Sequence, residues 1–365
     1  MADTIIRKKI CIAIHSLAHA GAERVAASWA NYLAKQGHDV FVMVYARSED
    51  TYDLDARVRI LPIADTREAY FQMPKAKQLL GIRKIIRKEK PDTLISFLPK
   101  MQITVMLATL GMRIKRIETV RNNPWVDKDV SGKRFLWDLC FRRSDIVIVQ
   151  TKEQSLYFPP KTQKKCVVIS NPVSGDFADR QKVYSSKEIR KFVAVARINT
   201  QKNYPMMVRA FAKIAQENPD CTLDIYGAGL PEAIQQLQAL IDELSMTENI
   251  HLCGWRRNIA EVLTAYDAFL MSSDYEGMPN ALAEAMASGL VCLSTDCKTG
   301  PKDMIDPGIN GYLAIKGDIE SFAQGIRRII QMDPQQCAVM GAAAREKILG
   351  MCSEENTLTR LKQLI

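Results

Sequence analysis

The sequence predicts an α/β protein made of two doubly wound, parallel-sheet domains that face each other across a cleft. Three observations predict it. Short apolar strands alternate with helix-length amphipathic stretches from Lys9 onward. The alternation starts afresh at Phe192 after a polar run. The 365 residues leave room for two separate cores. Strands joined by helical crossovers lie parallel, as in Rossmann-like domains, and such sheets take ligands at the carboxyl ends of their strands. The active site is therefore expected in the cleft between the domains.

The first unit of the pattern is the clearest. Lys9 to His15 (KICIAIH) reads as an apolar strand and Ser16 to Gly21 as a turn of small residues. Glu23 to Gln36 is helical, with Val25, Trp29, Tyr32 and Leu33 on one face; Gly37 stops it, and Asp39 to Tyr45 is a second buried strand. Further strands are predicted at Thr93–Phe97, Arg116–Val120 and Asp145–Gln150. Ile169 to Val173 and the polar run Ser174 to Lys191 read as a linker. Beyond it, strands are predicted at Phe192–Ala196, Thr222–Tyr226, Ile250–Cys253, Ala268–Met271, Val291–Ser294 and Tyr312–Ala314. Helices fall between them, and helical segments run Asp318–Gln331, Pro334–Leu349 and Glu354–Ile365. The domains are drawn at 1–173 and 174–349, with 350–365 crossing back to the first.

Composition narrows the class. The chain is 47% hydrophobic and 25% charged, ordinary for a globular protein. MADTIIRKK lacks the pattern of a secretory signal, and the longest nearly apolar run, Ile103 to Met112, is about half the ~20 residues a membrane-spanning helix needs. Nine cysteines without a CxxC read as reduced thiols. These features point to the cytoplasm. Charge is uneven: residues 1–180 carry 31 Lys+Arg against 19 Asp+Glu, a net +12, and the rest is −3. A basic first half implies an anionic partner, with nucleic acid, acidic lipid and phosphorylated substrates all open on charge alone.

The chemistry concentrates in Asp274 to Pro301, DYEGMPNALAEAMASGLVCLSTDCKTGP. Glu276 falls in the loop after an apolar strand, and Glu284 about one and a half turns into the next helix. Gly277 allows close backbone approach, and Pro279 suits a first helical turn whose free N–H groups make an anion site. A solvated helix acid and a turn acid are the plain alternative; the glycine and proline punctuation argues against it. Arg197 and Lys202, in ARINTQKN after the second domain's first strand, could clamp a diphosphate, Arg as a planar fork and Lys as a point charge. Gly21-Ala22-Glu23 opens the first helix, and Gly227-Ala228-Gly229 follows another strand where backbone could meet a phosphate.

Together these residues resemble glycosyltransferase family 4, retaining enzymes of the GT-B fold. Glu276 and Glu284 match its E-x7-E motif, Arg197 and Lys202 its R-x4-K pair, and Gly21-Ala22-Glu23 most of its G-G-A-E turn. EGMPNALAEAMASG and the following STDC are similar to bacterial members that use UDP-linked hexoses or N-acetylhexosamines. Val120-Arg121-Asn122-Asn123-Pro124 resembles a signature of members that extend lipid-linked glycans. The chain departs from the family at Ala20, at Leu290-Val291 and at Val120. The resemblance implies that Glu284 holds the ribose, that Glu276 touches the donor sugar, and that Gly277, Met278, Pro279 and Asn280 surround sugar and phosphates. It implies catalytic roles for Arg197, Lys202 and Glu276, with Gly21 and Gly227 near the donor and the base near Arg256. On the acceptor side it points to His19, Lys100, Arg121 and Asn122.

The implied partners are a nucleotide sugar as substrate, with no cofactor, and a glycan or polyprenyl-diphosphate-linked acceptor. An anionic membrane surface is a further expected partner, and nucleic acid is not. Met73 to Lys90 combines an apolar helix face with seven basic residues, which fits either a membrane-surface helix or a domain helix. No metal is expected: Asp53-Leu54-Asp55 forms a DxD, but away from the predicted donor edge. A nucleotide-sugar epimerase of the same fold is the nearest competing enzyme, and a non-catalytic anionic-lipid or nucleic-acid binding module the competing non-enzyme. A dehydrogenase is disfavoured, because no complete GxGxxG follows the first strand.

Overall fold

A computed structural model describes residues 6–18, 21–48, 51–126, 132–185 and 188–365. The chain divides into two compact units: Met1–Asn171 together with Thr357–Ile365, and Pro172–Asn356.

The first unit is built on strands β1 (Lys9–Ala13), β2 (Asp39–Val44), β3 (Arg59–Pro62), β4 (Thr93–Ser96), β5 (Lys115–Thr119), β6 (Ile146–Val149) and β7 (Cys166–Val168). Their order is β3-β2-β1-β4-β5-β6-β7 and every pairing is parallel. Runs such as IVIV in β6 are buried on both faces, as a helix-covered parallel sheet requires. Trp29 and Leu33 of the helix Gly21–Lys35 pack with Ile10, Ile12 and Phe97, and Leu358, Leu361 and Ile365 from the C-terminal segment join that core. The edge strands β3 and β7 were not anticipated. β3 (RILP) is half-exposed and carries Arg59, which ion-pairs with Asp39 and Glu89 at 3.2 and 3.0 Å. Charge at an edge interrupts the continuous apolar run that marks a central strand of a parallel sheet.

The second unit has β8 (Lys191–Val195), β9 (Thr222–Tyr226), β10 (Ile250–Gly254), β11 (Ala268–Met271), β12 (Val291–Thr295) and β13 (Tyr312–Ala314). Their order is β10-β9-β8-β11-β12-β13, again all parallel. The described residues of the run from Ser174 to Lys191, read as linker, are docked on this unit. Phe177 and Ile189 are buried, and the Tyr184 hydroxyl donates to the Asp267 carbonyl at 3.0 Å and accepts from Val291 N at 2.8 Å. Asp267 accepts from the backbone N–H groups of Arg190 and Lys191 and faces Lys182 at 3.3 Å. A few anchoring side chains suffice to fix a polar segment.

The helix Pro334–Cys352 lies against the helix Asn280–Ala287, and contact is close at Gly341, where a Cβ would come within 2.1 Å of the Gly289 carbonyl oxygen. Arg345 donates to the Ala287 and Ala178 carbonyls, closing the C-terminal end of Asn280–Ala287. All nine cysteines are free thiols. Among the described residues, no helix is long and apolar enough to cross a membrane.

Candidate functional site

In the second sheet the strand order reverses between β8 and β11, and the loops leaving those two strands carry the site. This is the switch point at which open α/β sheets bind ligands. After β8, Asn199 accepts from Lys202 N and opens a 3-10 turn over Thr200–Lys202, which Asn203 closes in the left-handed region at φ 46°. After β11 come Ser272 to Pro279. The loops are stitched together: Asp274 N donates to the Gln201 carbonyl, Gln201 Nε2 to the Tyr275 carbonyl at 2.8 Å, Ser272 Oγ to the Lys202 carbonyl at 2.7 Å, and Asn203 Nδ2 to Asp274 at 3.0 Å.

At the centre, Lys202 Nζ lies 2.5 Å from Glu276 Oε1, and Ser273 Oγ donates to the same oxygen at 2.6 Å. Side-chain exposure of Lys202 and Glu276 is 16% and 7%, so the pair is largely withdrawn from water, where each charge-assisted bond counts for more. Glu276 Oε2 receives no hydrogen bond from the described residues and is not sealed off. One carboxylate oxygen is thus fixed by the protein and the other is presented as a hydrogen-bond acceptor. Lys202 likewise has two N–H donors beyond the one facing Glu276. Arg197, in the same loop, is exposed and pairs with no carboxylate among the described residues.

The loop after β12 supports Glu276 from the other side. Thr295 Oγ1 donates to the Ser273 carbonyl at 2.6 Å, and Thr299 Oγ1 donates to the Glu276 carbonyl. Gly300 has φ 90°, and a Cβ there would sit 2.6 Å from Pro279 Cδ, so glycine lets this loop close against Gly277–Pro279. Cys297, buried in the same loop, is pushed up to about 12 by burial and then by the Glu276 charge, and is an inert thiol. Glu276, Gly277, Met278 and Pro279 are buried, Asn280 is half-buried, and the helix Asn280–Ala287 starts at Pro279 without a side-chain cap. Glu284, on that helix, is 6% exposed, which excludes the solvated-acid alternative.

Gly227 has a structural reason to be glycine. A Cβ there would meet the Ala196 carbonyl oxygen at 1.8 Å, and Ile198 N donates to the Ala228 carbonyl at 2.8 Å. The turn after β9 is laid along the loop that carries Arg197. Arg256 is exposed in the loop after β10, beside Trp255 at 65% exposure.

In the first unit, Gly21 is exposed at the start of its helix, and His19 lies outside the described residues. Glu23 is 4% exposed and accepts from Ser16 Oγ at 3.0 Å, with His15 Nε2 at 3.3 Å. Burial alone would raise its carboxyl; the hydrogen bond and charge of His15, its own backbone N–H and Ser16 outweigh that and hold it below the usual value. Lys100 is exposed and Asn122 half-buried, its side chain accepting from Asn123 N at 2.8 Å. Arg121 lies over the rings of Trp29 and Phe97. Asp55 is bound by Arg57 through Nε and Nη2, both at 2.7 Å, and no group of three metal-ligating side chains occurs among the described residues.

Sequence reasoning passed over Ser273, Thr295 and Thr299. The serine's place three residues before Glu276 was the available signal; the threonines offered only their positions at the end of β12 and in the loop after it.

Two parallel-sheet α/β units of seven and six strands define a GT-B architecture, and solved structures agree. Sucrose-phosphate synthase from Thermosynechococcus elongatus superposes with a TM-score of 0.84 at 16% identity, covering 98% of each chain. Two family models match in tandem, Glycosyltransferase Family 4 over residues 19–177 and Glycosyl transferases group 1 over residues 176–347. The chain belongs to the family 4 glycosyltransferases. Among its relatives, the UDP-Gal:alpha-D-GlcNAc-diphosphoundecaprenol alpha-1,3-galactosyltransferase of Escherichia coli is 24% identical over 370 residues, 94% of this chain and 93% of that one. An uncharacterized glycosyltransferase of Methanocaldococcus jannaschii is 28% identical over 257 residues, 64% of this chain and 63% of that one.

Proposed function

We propose that the chain is a retaining, metal-independent glycosyltransferase that moves a hexose or N-acetylhexosamine from a UDP-linked donor to a glycan or polyprenyl-diphosphate-linked acceptor, in the synthesis of a bacterial surface polysaccharide or glycoconjugate. The observation that carries it is the Lys202–Glu276 pair at the switch point, with one Glu276 oxygen fixed and the other presented. The donor class and the lipid-linked acceptor are supported by the name of the E. coli relative.

Breaking the bond from the anomeric carbon to the diphosphate places growing negative charge on the leaving group. Stabilising that charge is the largest effect a site can supply. Arg197, Lys202 and the N–H groups at the start of Asn280–Ala287 supply it here, in the place a divalent cation takes in other enzymes. Glu276 orients the sugar and Glu284 the ribose. The leaving phosphate accepts the acceptor's proton on the face it departs from, so configuration is retained without a protein nucleophile. His19, Lys100, Arg121 and Asn122 serve the acceptor.

The same reading places the enzyme peripherally at the cytoplasmic face of the membrane. The helix Lys75–Glu89 exposes Leu80 together with Lys77, Lys84, Arg87 and Lys88, and Phe71 of the preceding helix is 55% exposed. Arg83 does not belong to that surface: it donates to the Ala108 and Leu110 carbonyls at 2.8 and 3.0 Å.

A release assay for free nucleotide across a panel of nucleotide sugars, with membrane-extracted acceptors and EDTA present, tests the proposal. One donor should be consumed only when acceptor is added, and EDTA should leave most of the activity. Release that requires manganese, or conversion of the donor without acceptor, would overturn it in favour of metal-assisted transfer or epimerisation.

A further inference from the structure

Arg121 follows β5 in the first unit, and the fold does not satisfy it. Its guanidinium carbon lies 4.5 Å from the Trp29 ring centre and 4.9 Å from that of Phe97. Nη1 donates to Asn171 Oδ1 at 3.0 Å, an oxygen that also accepts from Gln150 Nε2 at 2.9 Å. Nε and Nη2, which form one edge of the guanidinium fork, are buried and meet no acceptor among the described residues. Trp29 Nε1, of the ring against which the guanidinium stacks, is also buried and unpaired. No carboxylate among the described residues forms an ion pair with Arg121; burial pulls the guanidinium down to about 9 with no neighbouring charge to offset it.

An arginine kept only for packing is not built this way. A buried cation without a counter-charge destabilises its fold, and a buried tryptophan N–H ordinarily finds a partner. The place also matters. Arg121 lies at the carboxyl end of β5, next to β4, and the first sheet reverses its order between β1 and β4. That edge is where open sheets take ligands, and residues 1–180 carry a net charge of +12. The fork edge binds two oxygens side by side, and the indole N–H is a third donor. A carboxylate offers two oxygens, whereas a phosphoryl group offers three.

We propose that Arg121 receives a phosphoryl group of the acceptor, with Nε and Nη2 as its donors and Trp29 Nε1 assisting. Arg121 as a residue is half-buried, so part of its side chain reaches the surface while Nε and Nη2 stay buried beside Trp29. Assigning the phosphoryl group to the acceptor rests on the functional reading above; the anion site does not.

The test follows Trp29 directly. In protein with 15N-labelled tryptophan indoles, saturated with UDP so that the donor site is filled, inorganic pyrophosphate and farnesyl diphosphate are titrated separately, with chloride at matched ionic strength as control. Trp29→Phe assigns the signal. The Trp29 indole resonance should shift saturably with both diphosphates, at lower concentration with farnesyl diphosphate. Arg121→Met should require at least tenfold more of either, while melting no lower than the wild type because an unpaired buried charge has gone. Should Arg121→Met fail to fold, Arg121→Lys keeps the charge without the fork and should show the same tenfold loss. A Trp29 signal unmoved by either diphosphate, or moved equally in the variants, overturns the site. A response to pyrophosphate but not farnesyl diphosphate overturns the acceptor assignment. If no donor is consumed in the release assay yet Trp29 still responds, the functional reading falls and the anion site stands.

Discussion

Lys202 is paired with Glu276 at 2.5 Å, whereas Arg197, in the same loop, faces no carboxylate among the described residues. The two cations therefore do different things. Lys202 holds the Glu276 carboxylate in place and has donors to spare; Arg197 offers an uncompensated charge. Charge on the leaving group grows chiefly in the transition state, so Arg197→Ala should lower kcat by roughly 10²–10³ while KM changes little. Steady-state kinetics on the selected donor would show it, and a raised KM with unchanged kcat would remove Arg197 from the leaving group. Glu276 and Glu284 were legible in the sequence because glycine and proline frame them at a telling spacing. Ser273, Thr295 and Thr299 were not. Their bonds to the Glu276 carboxylate, the Ser273 carbonyl and the Glu276 carbonyl are side-chain contacts without periodicity, two of them joining residues 22 and 23 positions apart.

At the scale of the element, the central strands declared themselves because burial on both faces leaves a continuous apolar run, as in VFVMV of β2. β3 and the segment Ser174–Lys191 did not, because single contacts of Arg59, Phe177 and Tyr184 hold them in place of a pattern. β5 adds a feature no pattern announces. Glu118 is 2% exposed, its Oε2 has no hydrogen-bond partner among the described residues, and burial pushes its carboxyl from about 4.5 up to about 8 against the opposing pull of Ser96, Arg116 and Gln102. Between those values the folded chain keeps a proton that the unfolded chain has lost. Stability from this group is full below the lower value and falls as pH rises toward the upper one, by as much as about 1.4 kcal/mol per pH unit. Glu118→Gln removes the titration. Urea unfolding at pH 5 and pH 8 should show a smaller loss in the variant than in the wild type. Equal losses would mean that Glu118 is ionised in the folded protein.

For the whole molecule, the contrast between a +12 first half and a −3 remainder is the widest feature of the charge distribution. Sedimentation with anionic vesicles should show binding at low salt that weakens sharply as salt rises, with little binding to neutral vesicles. Replacing Lys77, Lys84, Arg87 and Lys88 with Gln should abolish most of it; Arg83 is left in place because it closes the end of the helix Pro99–Ala108. Equal partition onto both vesicle types, or none, would make Lys75–Glu89 an ordinary domain helix. We propose that the loops after β8 and β11, with the helix Asn280–Ala287, form a nucleotide-sugar site in which Glu284 holds the nucleoside and Glu276 the sugar. Calorimetric titration of UDP and of the intact donor into wild type, Glu284→Gln and Glu276→Gln tests it most directly. Glu284→Gln should weaken both ligands by about 1.5–3 kcal/mol, the range for a hydrogen bond to a charged group. Glu276→Gln should leave UDP unchanged and weaken only the intact donor. Unaltered binding of both ligands to both variants would contradict the account.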